Sequence, residues 1–229
     1  MKGSCILAAA IVIAGAMLPV SVAKLKSYDR TVTVKGLCER EVKADKATWD
    51  LAYKVMGNDL QPLLKEIEKN NSTIRTFLAS GGIAAEDIYV SSPSISDKLA
   101  NEYGNNDRTY RYIISNTITV CSENVDAVLA LEKNSAELLK KGITMTYNEW
   151  STPVSYQYEA LNDIKPAMIE EATSNARTAA QKFAQDSGSS IGRIKTASQG
   201  TFSIESRDTN TPYIKKVRVV TNVTYYLKR

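Results

Sequence analysis

Three groups of side chains in this sequence carry the chemistry that a site would need. Tyr147, Trp150 and Tyr156 crowd one short stretch, and aromatic faces at that density can stack on a sugar or hold a peptide; they serve equally to pack a sheet. Glu41, Asp45 and Asp50 bring three carboxylates close in sequence, the residue type that metal binding or general acid–base work requires. Lys43, Lys46 and Lys54 are interleaved with them, so the same run also reads as a solvated face of mixed charge. Cys38 and Cys121 lie beyond the amino-terminal segment and read first as two small buried residues on separate strands; in an oxidising compartment they could instead pair.

An absence narrows the chemistry further. The chain has no histidine, so a Ser-His-Asp triad, a Cys-His pair, His-ligated zinc and the two-His-one-carboxylate iron site cannot be built. No C-x-x-C is present, which leaves a redox or zinc motif without support. Gly188-Ser189-Ser190-Ile191-Gly192 runs from a helix end into a strand, the reverse of the order that aims helix amides at a phosphate, and reads as a helix stop. No catalytic residue, cofactor site or metal site is assigned, and a noncatalytic protein is expected. A carboxylate-based hydrolase is the enzyme alternative, and it would need two convergent acids.

Charge gives no reason to expect nucleic acid, because 29 Lys and Arg against 25 Asp and Glu leave a formal charge of only +4 and no long basic run. The doublets Lys140-Lys141 and Lys215-Lys216 read as solvated ends of a helix and a strand. From Gly3 to Ala23 there is no charged residue, and the stretch closes on Pro19 and the small residues Ser21-Val22-Ala23. Such a segment is a signal peptide or a membrane anchor, and both readings stand: the small residues suit cleavage, and the length suffices to span. Cys5 precedes the hydrophobic region, where a lipoprotein cysteine would have to follow it.

The elements that must position these side chains follow from periodicity. Thr31 to Gly36 and Ala47 to Val55 alternate at period two and predict a hairpin. Leu60, Leu63, Leu64, Ile67, Ile74, Phe77 and Leu78 recur at helical spacing, with Asn58 or Asp59 as cap and Gly81-Gly82 as stop. A second helix is predicted over about Asn124 to Lys141, and a third from Asn162-Asp163 to Asp186, with Ala172, Ala176, Ala179, Ala180 and Ala184 forming a ridge of small side chains beside Phe183. Strands are predicted at about Asp87 to Ile95, Tyr110 to Cys121, Ile143 to Tyr158, Ile191 to Ile204 and Tyr213 to Leu227, and Pro153 puts its strand at an edge or a break. Roughly seven strands in mostly antiparallel sheets, packed with about three helices, define an α+β class. Asn71-Ser72-Thr73 and Asn222-Val223-Thr224 match the glycosylation sequon, a pattern frequent by chance.

In their order and spacing, several segments resemble the SIMPL-domain family, which includes bacterial periplasmic immunogenic and oxidative-stress-defence proteins. Val32, Val34 and Gly36 resemble its first strand, and Val42, Ala44, Asp45 and Ala47 its following turn. Gly82-Ile83 with Glu86-Asp87-Ile88, and Tyr110 and Tyr112 through Asn116 to Val120, resemble the segment after its first helix and its central strand. Most specific are Glu171-Ala172, Ala176, Ala179-Ala180, Lys182-Phe183-Ala184 and then Ile191-Gly192-Arg193-Ile194. Ala44 stands where the family often has Pro, and Cys38 where a second Gly is common.

The resemblance implies a bacterial envelope protein linked to stress tolerance, in a family where some members form large rings or channel-like oligomers and no catalytic residues are established. The expected organisation is a hydrophobic segment over residues 1–23, a connector over 24–30 and a SIMPL-like domain over 31–229. The expected setting is the periplasm, soluble or anchored by residues 1–23, with membrane contact in the second case. The expected role is self-association in support of the envelope, with a homo-oligomer and an envelope protein or glycan as partners; the alternative is a glycan- or peptide-binding module using Tyr147, Trp150 and Tyr156.

Overall fold

The computed structural model describes residues 30–100, 109–146 and 154–228. The hydrophobic segment over residues 1–23 and most of the connector therefore lie outside the described residues, as do Tyr147, Trp150 and Pro153. Among the described residues no helix is long and apolar enough to cross a membrane.

The strands are β1 (Thr31–Lys43), β2 (Lys46–Gly57), β3 (Ile88–Val90), β4 (Ser94–Asp97), β5 (Tyr112–Ser122), β6 (Val154–Gln157), β7 (Ser190–Gln199), β8 (Ser203–Ser206) and β9 (Ile214–Lys228). The helices are α1 (Leu60–Ser80), α2 (Val125–Lys133), α3 (Ala136–Lys140) and α4 (Leu161–Asp186). They build a four-stranded sheet in the order β1-β9-β7, with β8 also on β9, and a five-stranded sheet in the order β3-β5-β2-β6, with β4 also on β5. The α+β class is as expected. The predicted first hairpin is not made, because β1 and β2 join different sheets. Its turn is held by distant groups instead: the Ala44 amide donates to the Tyr213 carbonyl at 2.8 Å and the Asp45 amide to that of Gln157 at 3.0 Å.

The chain divides into two compact units. One holds the described residues up to Arg40 with Asn162–Ile204 and Val217 onward; the other holds Glu41–Leu161 and Glu205–Lys216. In the first, the alanine ridge does what small residues allow. Met168, Ala172, Ala176, Ala180 and Ala184 are buried at four-residue intervals along α4. A Cβ on Gly36 of β1 would stand 1.8 Å from the Ala172 carbonyl oxygen and 2.8 Å from the Ala176 Cβ, so strand and helix backbones meet where only glycine fits. Val34, Val223 and Tyr225 complete this core, whereas Phe183 points outward at 61% exposure. Gly188 closes the helix at φ 63°, as its reading as a stop requires.

The second unit has the larger core. Trp49, Leu51 and Tyr53 of β2 and Ile114, Ile118 and Val120 of β5 pack with Leu63, Ile67, Ile74, Phe77 and Leu78 of α1 and Val125, Val128 and Leu131 of α2. The predicted second helix is two, broken at Asn134-Ser135, two poor helix formers. Its start is as expected, with the Asn124 side chain accepting from the Ala127 amide at 3.1 Å. Asp59 stands at the start of α1 without a side-chain cap bond, and Asn58 accepts from the Arg111 amide instead. Strand β6 takes the edge place anticipated for it.

Candidate functional site

Strand β9 places the central side chain of the site. Its buried positions fall at Lys215, Val217, Val219, Thr221, Val223 and Tyr225, every second residue. Lys215 therefore belongs by parity to the inward face, and it is only 9% exposed, which corrects its reading as a solvated strand end. Its Nζ donates to Ser206 Oγ at 2.9 Å, and among the described residues it has no carboxylate partner. Burial lowers the ammonium's pKa, because a charge withdrawn from water is harder to keep.

Lys215 and Ser206 line a cavity of ≈ 560 Å³ with Glu132 of α2, Val154, Ser155 and Tyr156 of β6, and Asp208, Thr209 and Pro212 of the β8–β9 connection. Tyr156 is 5% exposed, its ring edge-on to Tyr213 at 6.1 Å, and its hydroxyl donates to Glu132 Oε2 at 2.9 Å. Burial first, and then the Glu132 carboxylate, hold the phenol far above its ordinary pKa, so it stays protonated. Its ring face is packed away and the hydroxyl end carries its polar chemistry. Asp208 is fully engaged: Oδ1 accepts from the Asn210 and Thr211 amides, and Oδ2 from the Thr211 hydroxyl and Arg207 Nε. The Thr211 hydroxyl and the Arg207 guanidinium hold its carboxyl well below the usual range.

Of the aromatic trio, Tyr156 lines this cavity and the other two members lie outside the described residues. The three acids near the first strands have separate partners. Glu41 pairs with Arg207 at 3.2 Å, Asp45 accepts from the Glu159 and Ala160 amides at 2.8 Å each, and Asp50 accepts from Thr119 Oγ1 at 2.6 Å. Among the described residues no cluster of acids, cysteines or histidines is arranged to hold a metal. Cys38 on β1 and Cys121 on β5 are free thiols. Cys38 is 2% exposed, and burial and the neighbouring Glu171 raise its pKa, which leaves an inert thiol. Cys121 is half-buried beside a second hollow of ≈ 400 Å³. Asn71 of the first sequon is tied down, accepting from Tyr53 OH at 2.8 Å and from Asn116 Nδ2 at 2.7 Å.

Sequence reading missed Lys215, Ser206 and Glu132 as members of a site. The period of β9 could have flagged Lys215, since it occupies the same parity as Val217 and Val219. Ser206 and Glu132 carry no comparable signal, because the fold alone brings them to β6.

Two antiparallel sheets packed with helices define an α+β protein, and one of its units carries a polar cavity lined by a buried lysine. The chain belongs to the SIMPL family, described as a protein of unknown function, DUF541, whose model matches residues 32–225. No curated protein matches it.

Proposed function

We propose that this SIMPL chain is a noncatalytic protein of the bacterial cell envelope whose domain binds a small glycan or peptide fragment in the cavity beside Tyr156. One observation carries the reading: hydroxyls, an ammonium and two carboxylates surround a cavity of ≈ 560 Å³ whose wall also includes Val154 and Pro212. That size and mixture suit a ligand of sugar or dipeptide dimensions. The envelope setting rests on the uncharged stretch from Gly3 to Ala23 and on the family resemblance, which also links the role to stress tolerance. Calorimetric titration with a panel of envelope glycan and peptide fragments tests the binding. A saturable heat that vanishes when Thr209→Trp plugs the cavity is expected; no heat with any fragment, or binding undiminished in the plugged variant, contradicts it.

A second reading, self-association, has its own observation. Among the described residues strand β7 ends the order of its sheet, and it is exposed along most of its length, so its outer edge is the one to offer backbone groups to a second copy of the chain. Register shifts around Ile194, together with Arg193 and Lys195, protect its first half and leave Thr196–Gln199 as the pairing stretch. Sedimentation of the chain from Lys24 onward is expected to show oligomers that Ala197→Pro reduces to monomer. A monomer at high concentration counts against this reading.

A further inference from the structure

We infer that Lys215 is the anchor for a carboxylate, so that the cavity selects acidic sugars or carboxylate-bearing peptide ends over their neutral counterparts. The inference rests on the binding role proposed above and names the chemistry of its ligand. A lysine whose side chain lies on the buried face of its strand, with one hydroxyl as its ammonium's hydrogen-bond partner and no carboxylate partner among the described residues, is incompletely compensated. It has two further N–H donors, and it lines the cavity. An incoming carboxylate would supply the missing charge and accept from those donors and from the Ser206 hydroxyl.

The rest of the wall narrows the ligand. Asp208 has both oxygens satisfied by the Asn210 and Thr211 amides, the Thr211 hydroxyl and Arg207, so the ligand's donors are left to other groups of the wall. Glu132 uses Oε2 for Tyr156, and its remaining acceptor capacity calls for a hydroxyl or amide N–H on the ligand. Lys215 is the one ammonium of the cavity wall among the described residues, and a single ammonium suits a single negative charge. A phosphate dianion would want a second cation, and Arg207 is already committed to Glu41 and Asp208. The ligand is thus a compact molecule with a carboxylate at one end and hydroxyl or amide donors at the other.

Two probes that differ by a lactyl carboxylate, N-acetylmuramic acid and N-acetylglucosamine, test this on the purified full-length protein in mild detergent, with inorganic phosphate as a third. The acidic sugar is expected to bind at least tenfold more tightly than the neutral one. Lys215→Met should abolish that preference, with folding checked by its thermal melt. Ser206→Ala, which keeps the charge, should weaken the preference without removing it, and raising the pH until the lysine is neutral should erase it in the unaltered chain. Equal binding of both sugars, blocked by Thr209→Trp, would overturn the carboxylate anchor while leaving the cavity reading intact. So would a preference that survives in Lys215→Met, or phosphate outcompeting the acidic sugar. Binding of no sugar would overturn both.

Discussion

Lys215 pulls against the fold that holds it. Withdrawing an ammonium from water without a counter-charge costs stability, and an apolar side chain of similar length removes that cost. Lys215→Met is therefore expected to leave the ligand-free protein as stable as before or more so, read as its urea midpoint. The sign with pH follows from the lowered pKa: the unfolded chain binds the proton more readily, so the lysine's penalty is fully present below its folded pKa. It fades as pH rises toward the unfolded value near 10.4, and the gap between variant and parent should close there. At the cavity's other side, Tyr156→Phe removes the donor to Glu132 and should cost about 1–2 kcal/mol, measured by the same denaturation. The sequence offered Tyr156 as a binding residue for its ring, and in the fold its hydroxyl donates to Glu132. Lys215 was legible from strand parity alone, but Glu132 and Ser206 were not, because only long-range pairing decides what faces them.

Helices and strands were legible wherever their own period is strong. The spacing of Leu63, Ile67, Ile74 and Leu78 predicted α1, and the alternation from Ala47 to Val55 predicted β2, because each buries one face of a regular element. The partner of β1 was not legible. Its charged half from Glu39 to Lys43 lies beyond the alternation that predicted the strand, yet it continues as strand, and there Arg218, Glu171, Arg207 and Asp126 pair with Glu39, Arg40, Glu41 and Lys43 in turn. No local pattern records those partners. Strand β1 and helix α4 meet backbone to backbone at Gly36. Gly36→Ala drives a methyl into the Ala172 carbonyl and should cost on the order of 3 kcal/mol, the upper end of overpacking, seen as a fall in thermal midpoint. Asp45→Ala strips the acceptor from the amides preceding α4 and should cost about 1 kcal/mol.

At the scale of the whole molecule, acid should weaken the fold through a few identified carboxylates. Asp97, Glu171 and Asp208 are held below their ordinary pKa by Arg111, by Arg40, and by Thr211 with Arg207 respectively. A depressed folded pKa means stability that is present above about pH 4 and lost as pH falls through the folded values. Urea midpoints measured down to pH 2 should show that decline, and Asp97→Asn with Asp208→Asn should flatten it. The central claim, that the cavity beside Tyr156 receives a carboxylate-bearing envelope fragment, is tested most directly by following backbone amide resonances while N-acetylmuramic acid is added. The account predicts saturable shifts confined to Val154–Gln157, the end of α2 and Ser206–Lys215. Shifts scattered over the sheets, or none at those residues at saturating sugar, would contradict it.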